Sequence, residues 1–285
     1  MVETYVVNAV TLSALYALVA IGFTLIFGVG RVFNFAHGAL ILLGGYVAFL
    51  ASNAGGLPIA VGIALGAVVP ATAAGLIYLG VVRRIQDRPV VVLLVTLIVG
   101  FIAQHTVRVV YGIGAFTVPQ PVEASVAAGG FEVRAFQIFV FVSSWVLILG
   151  VLYLVTRTTT GKTMVATSQD RRGAALAGID TERVNLYTWI LAGSLAGFAG
   201  VMLAGFQTGD WYMGVWPMVI SFAIVILGGL GSIKGSIVGA YVVGFLETTM
   251  TTYVNPRMTG VASLILLVGF LLVRPTGLFG HDVEI

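Results

Sequence analysis

The chain contains no cysteine, only three histidines (His37, His105 and His281), and few charges, 9% of its 285 residues being Asp, Glu, Lys or Arg. Without cysteine there is no disulfide scaffold, no thiolate ligand for zinc or an iron–sulfur cluster, and no cysteine nucleophile. The histidines are scattered and form no i,i+4 pair, so a metal site has no ligand cluster to stand on. A charged fraction so far below the roughly 25% of ordinary soluble domains excludes that class. The formal net charge of +3 must first be explained by membrane orientation, which leaves nucleic acid a poor partner. What fills the chain instead is apolar: 59% hydrophobic residues and a mean hydropathy of +1.08. At about 20 residues per crossing, this is enough for about eight or nine membrane helices. No removable signal peptide is expected, because Glu3 stands where a basic region belongs and the apolar run 6–27 is too long for one.

The uncharged stretches are 6–27, 32–50, 59–82, 90–107, 136–155, 186–206, 215–230, 237–246 and 261–273. They are aliphatic all round, with small residues closely spaced, as in Gly193, Ala196, Gly197 and Gly200. That pattern suits helices packed in lipid, not barrel strands that alternate polar and apolar residues. The expected fold is therefore all-α and polytopic, a single multi-pass domain over residues 1–285 in the cell membrane. Basic loops stay in the cytoplasm. Arg83, Arg84 and Arg88 sit in one loop; Arg157, Lys162, Arg171, Arg172 and Arg183 sit in another, two spans later. With both loops (83–88 and 157–183) inside, Arg31, Lys234 and Arg274 fall inside too, leaving Arg108, Arg134 and Arg257 outside. Nine spans then place the N-terminus outside and the C-terminus inside; a re-entrant segment starting at Val32 or Val215 would change that count. The polar loop 111–134, with Pro119, Pro121, Glu123 and Glu132, caps an outer vestibule, touches a soluble partner, or merely connects.

Enzyme motifs are missing. Thr160-Gly161-Lys162-Thr163 mimics the end of a Walker A loop, but Thr156 occupies the place of the required first glycine and no core strand precedes it. No HExxH, no GxSxG and no intramembrane Asp pair is present, so no hydrolase or protease machinery is visible. Permeation remains, and its signature is broken or polar backbone at membrane depth. Two regions qualify: Gly28-Val29-Gly30-Arg31-Val32-Phe33-Asn34-Phe35-Ala36-His37-Gly38, and a second from Trp216-Pro217 through Gly228, Gly229, Gly231, Ser232 and Gly235 to Glu247. Their placement in the two halves suggests an inverted repeat.

Each feature has a plainer reading beside the functional one. Asn34 and His37 form either a gate element, or a helix N-cap followed by a satisfied interfacial histidine. The glycines 228–231 line the route, or make a tight turn that lets helices approach closely. Glu247, the only acid deep in an apolar run, faces a cavity or ligand, or lies near the outer interface or against a partner helix. Gln104 and Arg108 share one helical face next to His105, with Arg108 reaching the outer headgroups. The long loop 157–183 contains a helix expected over 164–177, capped by Thr163 and ended by Gly178, that docks into another protein; a solvated or interfacial connector is the alternative.

These residues resemble a known family, the permease subunits of branched-chain amino-acid ABC importers, whose relatives carry urea or short-chain amides. The resemblance rests on Asn34-Phe35-Ala36-His37-Gly38, Arg88-Pro89-Val90, and the loop from Gly161-Lys162 through Met164, Ser168, Gln169-Asp170 and Arg171-Arg172 to Ala174-Ala175-Leu176-Ala177-Gly178-Ile179. It continues in Gly228-Gly229-Leu230-Gly231-Ser232-Ile233 with Gly235, and in Arg274-Pro275-Thr276-Gly277-Leu278-Phe279-Gly280. It spans essentially the whole chain and points to the first permease of a pair. It implies a second, similar or identical permease, two cytoplasmic ATPases that bind ATP and magnesium, an extracytoplasmic solute-binding protein, and no cofactor or metal in this chain. The loop, residues 157–184, is similar to the family's ATPase-coupling helix. Asn34, Phe35, His37, Gly38, Gly228, Gly229, Gly231 and Glu247 are the pathway candidates. Val165 departs from a common Arg and Asp87 from a common aromatic; the first touches an ATPase contact, the second little. An ion-coupled transporter acting alone has only Glu247 to use, and a passive urea channel leaves the long loop unexplained.

Overall fold

A computed structural model describes residues 2–128, 131–255, 258–273 and 277–279. Among the described residues, seven helices are long and apolar enough to cross a bilayer. They are α1 (Val2–Gly30), α2 (His37–Ala54), α3 (Ile59–Ile85), α4 (Pro89–Tyr111), α5 (Ala135–Arg157), α8 (Thr181–Phe206) and α10 (Ile233–Val254). Two surface helices, α6 (Thr159–Gln169) and α7 (Arg171–Leu176), join α5 to α8. Two apolar helices are short: α9 (Val215–Gly228), 14 residues, and α11 (Val261–Val273), 13 residues. At 1.5 Å per residue these reach about 20 Å, against about 30 Å of hydrocarbon. The nine apolar segments are thus present, seven of full length and two abbreviated. One strand pair adds to the all-α class: β1 (Ser125–Ala128) and β2 (Phe131–Arg134) form an antiparallel hairpin with Ser125 opposite Arg134.

The chain after α1 does not simply turn at the surface. Residues 31–36 run back along α1, and the His37 ring lies where a Cβ on Gly22 would touch it. Gly22 is two turns, about 12 Å, before the end of α1, so α2 begins inside the bundle. The second half does the same in the opposite direction. After α8, residues 207–214 turn back, and α9 begins where Gly214 abuts Gly38 backbone to backbone. The remaining contacts follow the same exchange: α3 packs on α8 as α10 packs on α1, and α4 touches α2 as α11 touches α9. The described residues of 2–111 and 181–273 therefore repeat one unit with reversed direction, as the two interrupted regions suggest, with α5 as the link.

Small residues allow the close crossings. A Cβ on Gly200 would collide with the Ile41 carbonyl, and one on Gly197 with the carbonyl of Gly66. In lipid, association comes from such close van der Waals contact because apolar burial gives little. α1, apolar all round, is enclosed along most of its length, with Leu15, Leu18, Ile21 and Phe23 buried. α4 and α5 instead expose Ile98, Ile102, Val146 and Leu149, the apolar outer face of a membrane protein.

Gly200→Val should destabilise the folded protein by about 1–3 kcal/mol or more, as overpacking against backbone does. Gly150→Ala, where nothing lies within 4 Å, should leave it unchanged or slightly stabler. Thermal unfolding in detergent separates the two, and equal midpoints would refute the crossing.

Candidate functional site

The junction between α1 and α2 is held by named polar contacts. Arg31 has φ 52°, the one non-glycine at positive φ among the described residues, and its N–H donates to the Phe27 carbonyl at 2.8 Å. This left-handed residue ends α1 and reverses the chain. Asn34 is buried, but it is not the N-cap: Ala36 holds that place. The Asn34 Oδ1 accepts from the Ala36 N–H at 3.1 Å, an Asx turn two residues upstream of α2. The Phe35 N–H donates to Thr96 Oγ1 on α4 at 3.1 Å. His37 is wholly buried rather than interfacial. Its Nε2 lies 3.2 Å from the Val19 carbonyl, which can only accept, so Nε2 carries the proton. Asn34 Nδ2 and His37 Nδ1 have no partner among the described residues.

Above this junction lies a cavity of about 410 Å³ between α1, α8, residues 207–214, α9 and α10, lined among others by Tyr16, Asp210, Trp216, Glu247 and Thr251. Glu247 is 1% exposed. Its carboxylate accepts from the Gly260 N–H at 3.0 and 2.9 Å and from Ser263 Oγ. It therefore sits at the start of α11, where a negative charge meets the positive end of the helix dipole. Gly260, at φ 79°, leaves room for the Trp216 ring. The acid thus faces the cavity while anchoring a neighbouring helix. The polar residues of α4 divide: Gln104 is buried, whereas the exposed Arg108 stacks on Trp211, 4.8 Å from the ring centroid.

The glycines after α9 make the tight turn. Gly229 and Gly231 have φ 100° and 83°, Ser232 caps α10 by accepting from the Gly235 N–H at 3.1 Å, and Gly228 abuts Gly235. The Leu278 and Phe279 N–H groups donate to the Leu227 and Gly228 carbonyls at 2.8 and 3.1 Å, closing the end of α9. Asn34, Phe35, His37 and Gly38 thus come together and Glu247 lies beside the cavity, whereas Gly228, Gly229 and Gly231 stand at the far end of α9. Arg257, Arg274, Pro275, Thr276, Gly280 and His281 lie outside the described residues.

At the end that gathers the basic loops, the expected single helix over 164–177 is two helices broken at Asp170. Thr158, not Thr163, caps α6 by accepting from the Gly161 N–H at 3.1 Å, and Asp170 caps α7 by accepting from the Arg172 N–H at 2.9 Å. Gly178, at φ 85°, ends the unit. Gly161, Met164 and Thr167 face inward, with Met164 packed on Val29 of α1 and Val184 of α8. Ala174 is buried, Ser168 half-buried, and Lys162, Val165, Gln169, Arg172, Ala175 and Leu176 point outward. Arg31 Nη2 donates to the Ser168 carbonyl at 3.4 Å. Asp87, almost fully exposed, lies 3.8 Å from Arg171, a surface pair worth little, and Arg83 pairs with Glu182 at 2.5 Å. At the opposite end Phe116 and Gly209 exchange two backbone bonds of 2.8 Å. Gln120 Nε2 donates to the Gly205 carbonyl at 3.0 Å. The polar loop therefore caps the end of α8 beside the cavity mouth, satisfying carbonyls that a helix terminus leaves free.

Tyr16, Phe23, Thr96 and Phe222 belong to the site but lie in unbroken apolar runs that carry no sequence signal. Gly214, just before a short segment with Pro217, did carry one.

Interrupted helices meeting inside an inverted bundle beside a polar-lined cavity define an integral membrane permease. The family model for the branched-chain amino acid transport system / permease component matches residues 5–271, and the chain belongs to that family. The high-affinity branched-chain amino acid transport system permease protein LivH of Escherichia coli is 30% identical over 298 residues, covering 97% of this chain and 95% of its own. The probable branched-chain amino acid transport permease protein LivH of Methanocaldococcus jannaschii is 32% identical over 96% of this chain and 91% of its own. BraD of Pseudomonas aeruginosa is 27% identical over 98% and 96%. No solved structure matches the chain significantly.

Glu247→Ala should cost about 1–3 kcal/mol by stranding the buried Gly260 N–H and Ser263 hydroxyl, while Glu247→Gln, which keeps an acceptor, should cost less. The comparison is read from thermal unfolding of the purified variants; an alanine variant as stable as wild type would remove the anchoring role.

Proposed function

We propose that the chain is one permease subunit of an ATP-driven importer and forms a route for branched-chain amino acids delivered by an extracytoplasmic binding protein. The observation that carries this reading is the α6–α7 unit. Leu176 is 83% exposed and stands with Val165, Gln169, Asp170 and Arg172 on an outer face, while the inner face is seated on the end of α1. An apolar side chain left that open among charges suits a groove on a partner ATPase. Positive loops favour the cytoplasm, which puts residues 83–88 and 157–183, and so this unit, on the ATPase side and the cavity mouth on the opposite side. ATP and magnesium belong to two partner ATPases, and a second permease, identical or homologous, completes the route; the chain itself has no catalytic role and needs no cofactor or metal.

In this mechanism ATPase closure displaces α6–α7 and, through Met164 and Val29, the end of α1 that leads into residues 31–36. Such alternation opens the route to one side and then the other. A zwitterionic substrate in the cavity has the Glu247 carboxylate for its ammonium group, and the N-terminal end of α9 for its carboxylate. The names of the full-length relatives favour branched-chain amino acids over urea or short-chain amides.

Leu176→Asp and Arg172→Glu should release the ATPase from the complex purified from native membranes, lowering retained ATPase activity by about tenfold or more, as loss of a buried interface anchor does. In proteoliposomes, uptake of radiolabelled leucine should require both ATP and the binding protein. Uptake without ATP, or an ATPase retained by both variants, would overturn the reading.

A further inference from the structure

Beneath the cavity, toward the basic end, three chain segments bring phenylalanines to one level. Leu12, Tyr16 and Phe23 lie on one stripe of α1, four and seven residues apart. The first two line the cavity, and Phe23 stands about 10 Å farther along the axis. The Phe23 ring is 6.0 Å from Phe33, 6.4 Å from Phe35 and 6.1 Å from Phe222, centroid to centroid. Phe222 on α9 is 5.5 Å from Phe33 and 5.8 Å from Phe35. Phe23 is buried, whereas Phe33, Phe35 and Phe222 remain partly exposed. None of the four lines the cavity, which ends above them.

We propose that Phe23, Phe33, Phe35 and Phe222 are this chain's share of an aromatic constriction that shuts the permeation route below the cavity. The inference rests on the permease reading and deepens it. Ordinary core rings are carried by regular elements, but Phe33 and Phe35 sit on the non-helical segment before α2, and Phe222 on the helix whose start meets Gly38. These are the places where the helices are interrupted. At the start of the segment Arg31 reaches the Ser168 carbonyl of α6 at 3.4 Å, and Met164 of α6 packs on Val29 just before it, so α6 touches the chain where it leads into the rings. A ring of phenylalanines offers no hydrogen bond to water or ions and closes by dewetting, whereas an aliphatic side chain slides across it. The constriction thus favours amino acids with branched apolar side chains and holds back small polar solutes.

The complete complex in proteoliposomes provides the test. Phe222→Ala should raise ATP-independent leak of urea and of radiolabelled leucine by about tenfold over wild type, as removal of a hydrophobic gate does, while ATP hydrolysis persists. The chain has no cysteine, so Phe35→Cys with Phe222→Cys can be bridged by a short bifunctional methanethiosulfonate. Bridging should abolish leucine uptake, and reductant should restore it. An assembled Phe222→Ala complex with wild-type leak overturns the constriction, as does a bridged pair that still transports at the wild-type rate. Should Phe222→Ala fail to assemble, the bridged pair decides alone. A wild-type complex that never takes up leucine would refute the permease substrate, while the urea leak would still read the constriction.

Discussion

Gly38 and Gly214 press backbone against backbone where α2 and α9 begin inside the bundle, and neither position has space for a Cβ. Both helices start below the surface only because this contact lets their ends approach so closely. Each start is preceded by a chain reversal, and each is followed by a long helix that packs on the opposite half. Separating the two ends would open the one place where α2 and α9 meet at their starts, between the cavity and the ring cluster beneath it.

Interrupting a helix at membrane depth exposes N–H and C=O groups that lipid cannot satisfy. The molecule meets that demand locally. Asn34 and Thr96 accept from the segment before α2, Glu247 from the start of α11, and Gly228 and Leu227 receive N–H groups from residues 278–279. Two of the buried polar groups that find no partner among the described residues, Asn34 Nδ2 and His37 Nδ1, lie at the junction itself. Polar residues that look like ligands in the sequence are thus partly occupied in holding broken backbone, and Glu247 does this while also bordering the cavity.

The two ends of the bundle differ in how finished they are. Where Phe116 and Gln120 clamp α8, the loop turns back onto its own chain and covers helix carbonyls. At the basic end α6 and α7 are seated on α1 and α8 by one face and leave Leu176 open on the other. The α6–α7 element is seated on the end of α1, from which the segment before α2 leads to the junction.

Much of this was legible in the residues. Composition determined a membrane protein, small-residue spacing determined helices, and Asn34, His37, Gly38 and the glycines after α9 marked the interruptions, because broken backbone at membrane depth requires unusual residue types. Gly178 marked the end of the surface unit, because a left-handed residue without strain is nearly always glycine. The caps differ from those the sequence suggests: Thr158 and Asp170 stand in place of Thr163, and Ala36 in place of Asn34, since several residues can offer an oxygen and only the chain path selects one. Phe23, Phe222 and Tyr16 were invisible, as apolar residues within apolar helices have no local signature. Which way a helix turns its face, which carboxylate meets which helix end, and that Gly38 meets Gly214 were decided by the tertiary structure alone. Those contacts join residues far apart in the chain, and their energy exists only after the halves have closed on each other.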